Sequence, residues 1–176
     1  SSGTGAMEAA IVNLFSPGDK ILAFPNGVFG ERFVSIAEAF GAEVQKVPVE
    51  WGKPISPELV RDTIAQDGNH EIKGVLFTHN ETSTGVLNDV KALREALGDH
   101  PALVVVDAVS SMGAVDLKTD EWGLDVVVTG AQKALMLPPG LGFVSVSDKA
   151  WEATEVSQNP KFYWDFKKAK NSLNKW

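Results

Sequence analysis

The chain reads Val104-Val105-Val106-Asp107-Ala108-Val109-Ser110-Ser111. After a mostly polar stretch it continues Val126-Val127-Val128-Thr129-Gly130-Ala131-Gln132-Lys133. Each valine run is short, β-branched and bounded by polar or small residues, the pattern of a strand buried on both faces of a parallel sheet. Asp107 ends the first run and Lys133 lies just beyond the second, so opposite charges fall at one edge of the sheet. Open α/β sheets bind their ligands at that edge.

Working outward, the rest of the chain alternates strand and helix. Gly5 to Phe15 is a mostly apolar helix ended by Ser16-Pro17-Gly18-Asp19, and Lys20 to Phe24 is a strand. Phe29 to Phe40 carries Phe33, Ile36, Ala37 and Phe40 at helical spacing, and Gly41 closes it. Glu43 to Val47 is a strand, Pro57 opens a helix running to about Gln66, and Lys73 to Thr78 is a third strand. A helix follows from Asn88, its expected N-cap, to Leu97. Ala131 to Leu135 reads as a short helix broken by Pro138-Pro139-Gly140. The link from Lys133 to the last strand, Gly142 to Ser147, is too short for a full crossover, which lets that strand run antiparallel. From Asp148 the chain is helical. The fold class is α/β, a mainly parallel sheet with helices on both faces.

The composition narrows the function. In 176 residues the formal net charge is −7, against nucleic acid or an anionic membrane as partner. No apolar run reaches the roughly 20 residues of a membrane-spanning helix, and Ser1-Ser2-Gly3-Thr4-Gly5 does not open a signal peptide. There is no cysteine, which removes disulfides, thiolate metal sites and cysteine nucleophiles, and fits a reducing compartment such as the cytoplasm. No metal site is expected. Both ends read as cut: a functional-looking glycine turn opens the chain with no strand before it, and the aromatic, lysine-rich stretch Phe162 to Trp176 stops without a cap.

Ser2-Gly3-Thr4-Gly5 places free N–H groups, a helix dipole and two hydroxyls where a phosphate dianion would bind, although an ordinary helix cap has the same residues. Glu8 stands where the dinucleotide fingerprint needs a small residue, and no Gly-Lys-Ser/Thr is present for a P-loop. The polar loop His79-Asn80-Glu81-Thr82-Ser83-Thr84-Gly85 follows the third strand onto the same edge. His79 is more at home there as a structural hydrogen-bonder than as an acid or base. A carboxylate at Asp107 needs a partner once buried. A backbone N–H, a neighbouring hydroxyl or a pyridinium N–H would each serve. Lys133 sits among Gly130, Ala131 and Ala134, which leave room for a bulky group. An acid and a lysine so placed can hold the two ends of a pyridoxal 5′-phosphate ring, the lysine as a Schiff base and the acid on the ring nitrogen. Phe29 can stack on an aromatic ring, although most phenylalanines so placed are core.

The ordered set Ser-Gly-Thr-Gly-Ala-Met-Glu, Asn-Gly-Val-Phe-Gly-Glu-Arg, Thr-His-Asn-Glu-Thr-Ser-Thr-Gly, Val-Asp-Ala-Val-Ser-Ser and Gly-Ala-Gln-Lys-Ala-Leu-Met-Leu-Pro-Pro-Gly resembles the class V aminotransferases. More narrowly it is similar to the alanine–glyoxylate and serine–glyoxylate (serine–pyruvate) enzymes. The resemblance implies a fold-type I pyridoxal phosphate enzyme with a seven-stranded sheet. Residues 1–150 would be the large domain, incomplete at its N-terminus, and 151–176 the start of a connection to a C-terminal small domain. It implies Lys133 as the Schiff-base lysine and proton shuttle, and Asp107 as the partner of the pyridine nitrogen. Ser2, Gly3 and Thr4 form the phosphate turn, with Gln132 as a further phosphate contact. Thr82 lies near the ring oxygen, Val109 packs on the ring, and Phe29 takes a stacking position that often holds tryptophan.

The activity implied is transamination of alanine or serine with glyoxylate or pyruvate, in a homodimer. The compartment is the cytoplasm, or a peroxisome in a eukaryote, whose C-terminal signal would lie outside this chain. Of Arg32, Arg61 and Arg94, none matches the family's substrate-carboxylate arginine. The rivals are another class V reaction, lyase or desulfurase, and a non-catalytic fragment serving as an interaction domain.

Overall fold

The computed structural model describes residues 1–173 and 175. The elements run α1 (Gly3–Leu14), β1 (Lys20–Ala23), α2 (Val28–Ala39), β2 (Glu43–Lys46), α3 (Pro57–Ile64), β3 (Ile72–Thr78), β4 (Asn80–Glu81), β5 (Val86–Leu87), α4 (Val90–Ala96), β6 (Leu103–Asp107), β7 (Val126–Gly130), β8 (Gly142–Val146), α5 (Asp148–Val156) and α6 (Phe166–Leu173). Six strands form one sheet in the order β2-β1-β3-β6-β7-β8. All pairings are parallel except β7 with β8, as the short link after Lys133 requires.

The valine runs are continuous because both faces of the central strands are covered. Successive residues point to opposite faces. Val104 and Val106 pack with Val75, Phe77 and Leu22 against Val60 and Ile64 of α3 and Leu93 of α4. Val105 packs with Val126, Val128 and Ile21 against Met7 and Ile11 of α1, Phe33 and Val34 of α2, and Ala150 of α5. Register then sets the working edge. Thr78 pairs with Asp107, so β3 and β6 end level, while Asp107 pairs with Val128 and β7 runs two residues further, to Gly130.

Four expectations are corrected. The main sheet has six strands where the family resemblance implies seven. The polar loop after β3 folds its own hairpin, β4 with β5, apart from the sheet. The N-cap of α4 is Asp89, whose carboxylate accepts from Ala92 N–H at 3.0 Å. Asn88 is instead fully buried: its amide donates to Thr78 O at 2.7 Å, and its Oδ1 accepts from Asn26 at 3.1 Å and from Ile55 N–H at 2.9 Å. Burial favoured the residue that joins three segments over the one that caps a helix. The expected helix at Ala131–Leu135 is a series of turns, closed by Leu137 N–H on Ala131 O at 3.1 Å and carrying Met136 in the left-handed region at φ 55°.

Beyond α5, the aromatic tail docks through α6. The Asn13 side chain accepts from Phe166 N–H at 3.0 Å, Asp165 caps Lys168 N–H at 3.0 Å, and Trp151 meets Phe166 edge-on. The expected uncapped stop at Trp176 lies outside the described residues.

Two measurements test this packing. Gly74 of β3 lies under Phe15, and a Cβ there would sit 2.3 Å from Phe15 Cζ. Gly74→Ala should lower stability by about 1–3 kcal/mol, read by chemical denaturation. His100 is half-buried, its side chain largely covered and both ring nitrogens engaged, Nε2 at 3.2 Å from Asp67 Oδ2 and Nδ1 accepting from Ala102 N–H at 3.2 Å. Desolvation holds its pKa below the usual 6.5, against the pull of Asp67. Stability from the neutral ring is therefore present above pH 6.5 and lost as pH falls below it. The wild type should exceed His100→Gln by about 1 kcal/mol at pH 7.5, and thermal melts should show that advantage shrinking toward pH 5.

Candidate active site

The cleft lies where β3, β6 and β7 end and α1 and α2 begin. Its volume is about 180 Å³, room for roughly six waters at the liquid share of ~30 Å³ each. Every candidate residue named from the sequence lines it.

The floor is Asp107, the last residue of β6. Its backbone carbonyl accepts from His79 N–H at 2.8 Å, and its Oδ1 accepts from Val109 N–H at 2.9 Å. It is 4% exposed, and among the described residues no cation pairs with it. Burial pushes its pKa up to about 7. The Val109 N–H and the charge of Arg32 oppose that rise, and the charge of Glu81 adds to it. Asp107 is thus a buried acid held from one side, with the cleft on the other.

The first turn of α1 forms one wall. Ser2 is its N-cap, with Oγ accepting from Gly5 N–H at 3.3 Å, so the N–H groups of Gly3 and Thr4 are the donors left for a ligand. Gly3 must be glycine, since a Cβ would lie 2.6 Å from Val109 Cγ2. That contact seats Val109 beneath the turn.

The first turn of α2 forms a second wall. Phe29 is half-buried, and Arg32, one helical turn on, lies over its ring at 4.8 Å and donates to Thr4 Oγ1 at 3.2 Å. The third wall follows β3, where Thr82 Oγ1 donates to Ser110 Oγ at 2.7 Å and Asn80 Nδ2 donates to the same oxygen at 2.9 Å.

Gln132 and Lys133 stand past the end of β7 in a loop tied to β8 by Ala131 N–H on Leu141 O at 3.0 Å. Both are exposed, and Lys133 has no ion-pair partner among the described residues. Small neighbours leave the space that the sequence implies. His79 is buried outside the cleft lining, and only its backbone N–H and carbonyl bridge Asp107 and Asn88. Its side-chain Nδ1 has no hydrogen-bond partner among the described residues, so the expected side-chain hydrogen-bonder is not found.

Sequence reasoning missed Arg32, Asn80, Ser110 and Met7, all of which line the cleft. Two of them had a legible signal. Arg32 follows Phe29 by three residues, hence on the same helix face, and Asn80 precedes Thr82 by two in extended chain, hence on the same side.

Comparison with known proteins defines the class. The family model described as "Aminotransferase class-V" matches residues 1–166. The chain belongs to the class V aminotransferase family. It is 50% identical over 175 residues to a protein of Anabaena cylindrica named "Soluble hydrogenase 42 kDa subunit", covering 99% of this chain and 46% of that one. It is 45% identical over 168 residues to a serine–glyoxylate aminotransferase of Arabidopsis thaliana, covering 94% of this chain and 42% of that one. The crystal structure of an alanine–glyoxylate aminotransferase from Nostoc sp. superposes with a TM-score of 0.88 at 33% identity, over 99% of this chain and 45% of that chain. The chain thus spans somewhat under half the length of these relatives. No helix among the described residues is long and apolar enough to cross a membrane.

Asp107 gives a test of this geometry. A carboxyl with a raised folded pKa stabilises the fold below its unfolded value of 3.8, and that stability is lost as pH rises through about 7. Asp107→Asn carries no such loss. Without added ligand, its melting temperature should exceed wild type at pH 8 by roughly 3–6 °C, about 1–2 kcal/mol for a domain of this size, and the gap should close toward pH 4.

Proposed function

We propose that this chain is the cofactor-holding part of an aminotransferase that uses pyridoxal 5′-phosphate to move an amino group from a small amino acid, alanine or serine, to glyoxylate or pyruvate. The observation that carries the reading is Asp107, a buried acid with no cation paired to it among the described residues, at the floor of a cleft whose lining also includes Lys133, itself without an ion-pair partner among the described residues.

The residues present fit that cofactor. Asp107 offers a carboxylate oxygen where a protonated ring nitrogen would satisfy it. The Gly3 and Thr4 N–H groups, the Thr4 hydroxyl and Arg32 together form a cationic, donor-rich corner for a phosphate. Val109 and Phe29 supply apolar surfaces for a flat ring, Thr82 a hydroxyl at its edge, and Gln132 a further amide. When bound, the cofactor supplies an electron-poor ring that takes up charge from the substrate's α-carbon.

Each residue then has a definite task. Asp107 would keep its negative charge once a cation faced it, and so would favour a protonated ring nitrogen at that position. Lys133 provides the amine that the cofactor's aldehyde would capture. Once free, that amine would be the base available in the cleft to move a proton at the substrate α-carbon. The Ser110 hydroxyl, accepting from both Thr82 and Asn80, holds the third wall in place.

The family name favours a transferase over the other class V reactions, and glyoxylate enzymes among the relatives favour the acceptor. The hydrogenase name belongs to the Anabaena protein. This chain has no cysteine, so it offers no thiolate of its own to an iron–sulfur cluster. Lys133 is exposed here, and the catalytic site of the whole protein would be completed by a partner copy and by residues outside this chain, with 151–176 leading toward a second domain.

Added pyridoxal 5′-phosphate should give a visible absorption band that borohydride discharges, leaving the label on the peptide containing Lys133. Lys133→Ala should abolish both. Label scattered over surface lysines of well-folded protein would overturn the assignment.

A further inference from the structure

Helix α2 has no cap of its own. Its N-cap is Gly27, which carries no side chain, yet its first turn presents Phe29 and Arg32 to the cleft. The free donors of that turn are taken by the loop after β3. Val28 N–H reaches Ser83 Oγ at 3.0 Å, while Phe29 N–H and Gly30 N–H both reach Glu81 Oε2, at 3.0 and 2.9 Å. The other oxygen, Oε1, accepts from Ser83 N–H at 3.1 Å and Ser83 Oγ at 2.6 Å. Glu81 is 0% exposed.

A buried carboxylate normally demands a cation, and among the described residues Glu81 has none. Four N–H and O–H donors and the positive end of the α2 dipole hold its charge. The approach is so close that a Cβ on Gly27 would lie 2.4 Å from Glu81 Cγ. Thr82, the next residue, is bonded to Ser110 on the third wall. The carboxylate therefore stands between the wall that carries Phe29 and Arg32 and the wall that carries Thr82.

We propose that Glu81 is a positioning residue of this cleft: its buried carboxylate fixes the first turn of α2 against the Thr82 loop, and so sets the opening into which the cofactor enters. The proposal rests on reading the cleft as the cofactor site. It has an electrostatic corollary, because the same charge disfavours ionisation of Asp107. Glu81 thus acts on both the shape of the cleft and the readiness of its floor to accept a cation.

The test uses the whole chain first without cofactor, by NMR. In Glu81→Gln, which keeps the side chain's shape, amide exchange at Phe29 and Gly30 should accelerate about tenfold, the loss of a good helix cap. The Asp107 carboxyl should titrate at lower pH than in wild type, a change that a merely structural role would not produce. In Ser83→Ala, which keeps the charge, exchange at Val28 should accelerate while Asp107 titrates as in wild type. This second variant decides the matter if Glu81→Gln does not fold, since altered Asp107 titration there would break the link to the Glu81 charge. Wild-type exchange at Phe29 and Gly30 together with unchanged Asp107 titration in folded Glu81→Gln would overturn the proposal. Pyridoxal 5′-phosphate is then added, and affinity should fall about tenfold in Glu81→Gln. If wild type itself fails to bind it, the functional reading fails while the cofactor-free results still judge Glu81.

Discussion

Burying Asp107 at the end of β6 costs free energy that the chain does not fully offset. One backbone N–H and the more distant charge of Arg32 favour the carboxylate, while desolvation and Glu81 oppose it. An unpaired acid of this kind survives in a fold only where the surrounding structure enforces it. The enforcement here is the parallel register: Thr78, Asp107 and Val128 lie level on adjacent strands, and both faces of those strands are packed. The acid cannot swing into solvent without undoing that register. The structure therefore holds an electrostatic demand at the base of the cleft, and the walls are arranged around it.

Those walls come from distant parts of the chain, and side-chain bonds that cross between segments hold them. Arg32 ties α2 to α1 through Thr4, Glu81 ties the loop after β3 to α2, and Ser110 ties the segment after β6 to Thr82 and Asn80. Asn88 does the same one layer below, joining the end of β3 to the segments at Asn26 and Ile55. The polar residues near the cleft are thus mostly engaged with one another, which leaves Asp107, Lys133 and the donors of the α1 turn facing the space between.

Much of this was legible in the sequence because the central strands are buried on both faces. Three valines in a row followed by a polar residue fix a strand, its end and the edge to which it points. The antiparallel β8 followed from loop length alone. What the sequence hid depends on long-range choices between similar residues. Asn88 and Asp89 are both good caps, and only burial decides that Asn88 faces inward. Glu81 looks like one polar residue in a polar loop, because two of the four donors that satisfy it, the Phe29 and Gly30 N–H groups, lie some fifty residues earlier in the chain. The turns after Lys133 read as helix because Ala131, Leu135 and their neighbours are good helix formers. Their contact with β8 overrides that preference.

The N-terminal helix has a bearing on how such a chain comes to be made. Helix α1 packs on α2, which follows it closely, and also on β7, β8 and α5, which come more than a hundred residues later. Gly142 lies so close that a Cβ would sit 2.8 Å from Ser2 O. A ribosome therefore releases the apolar face of α1 long before the strands that cover it exist. Until residues 126–156 have emerged, Met7, Ile11 and Leu14 have only part of their packing, from β1, α2, β3 and β6, and the glycine turn is not yet formed into a pocket. The burial of this apolar helix is therefore completed late in synthesis, and the interval before it is one in which a nascent chain depends on chaperones.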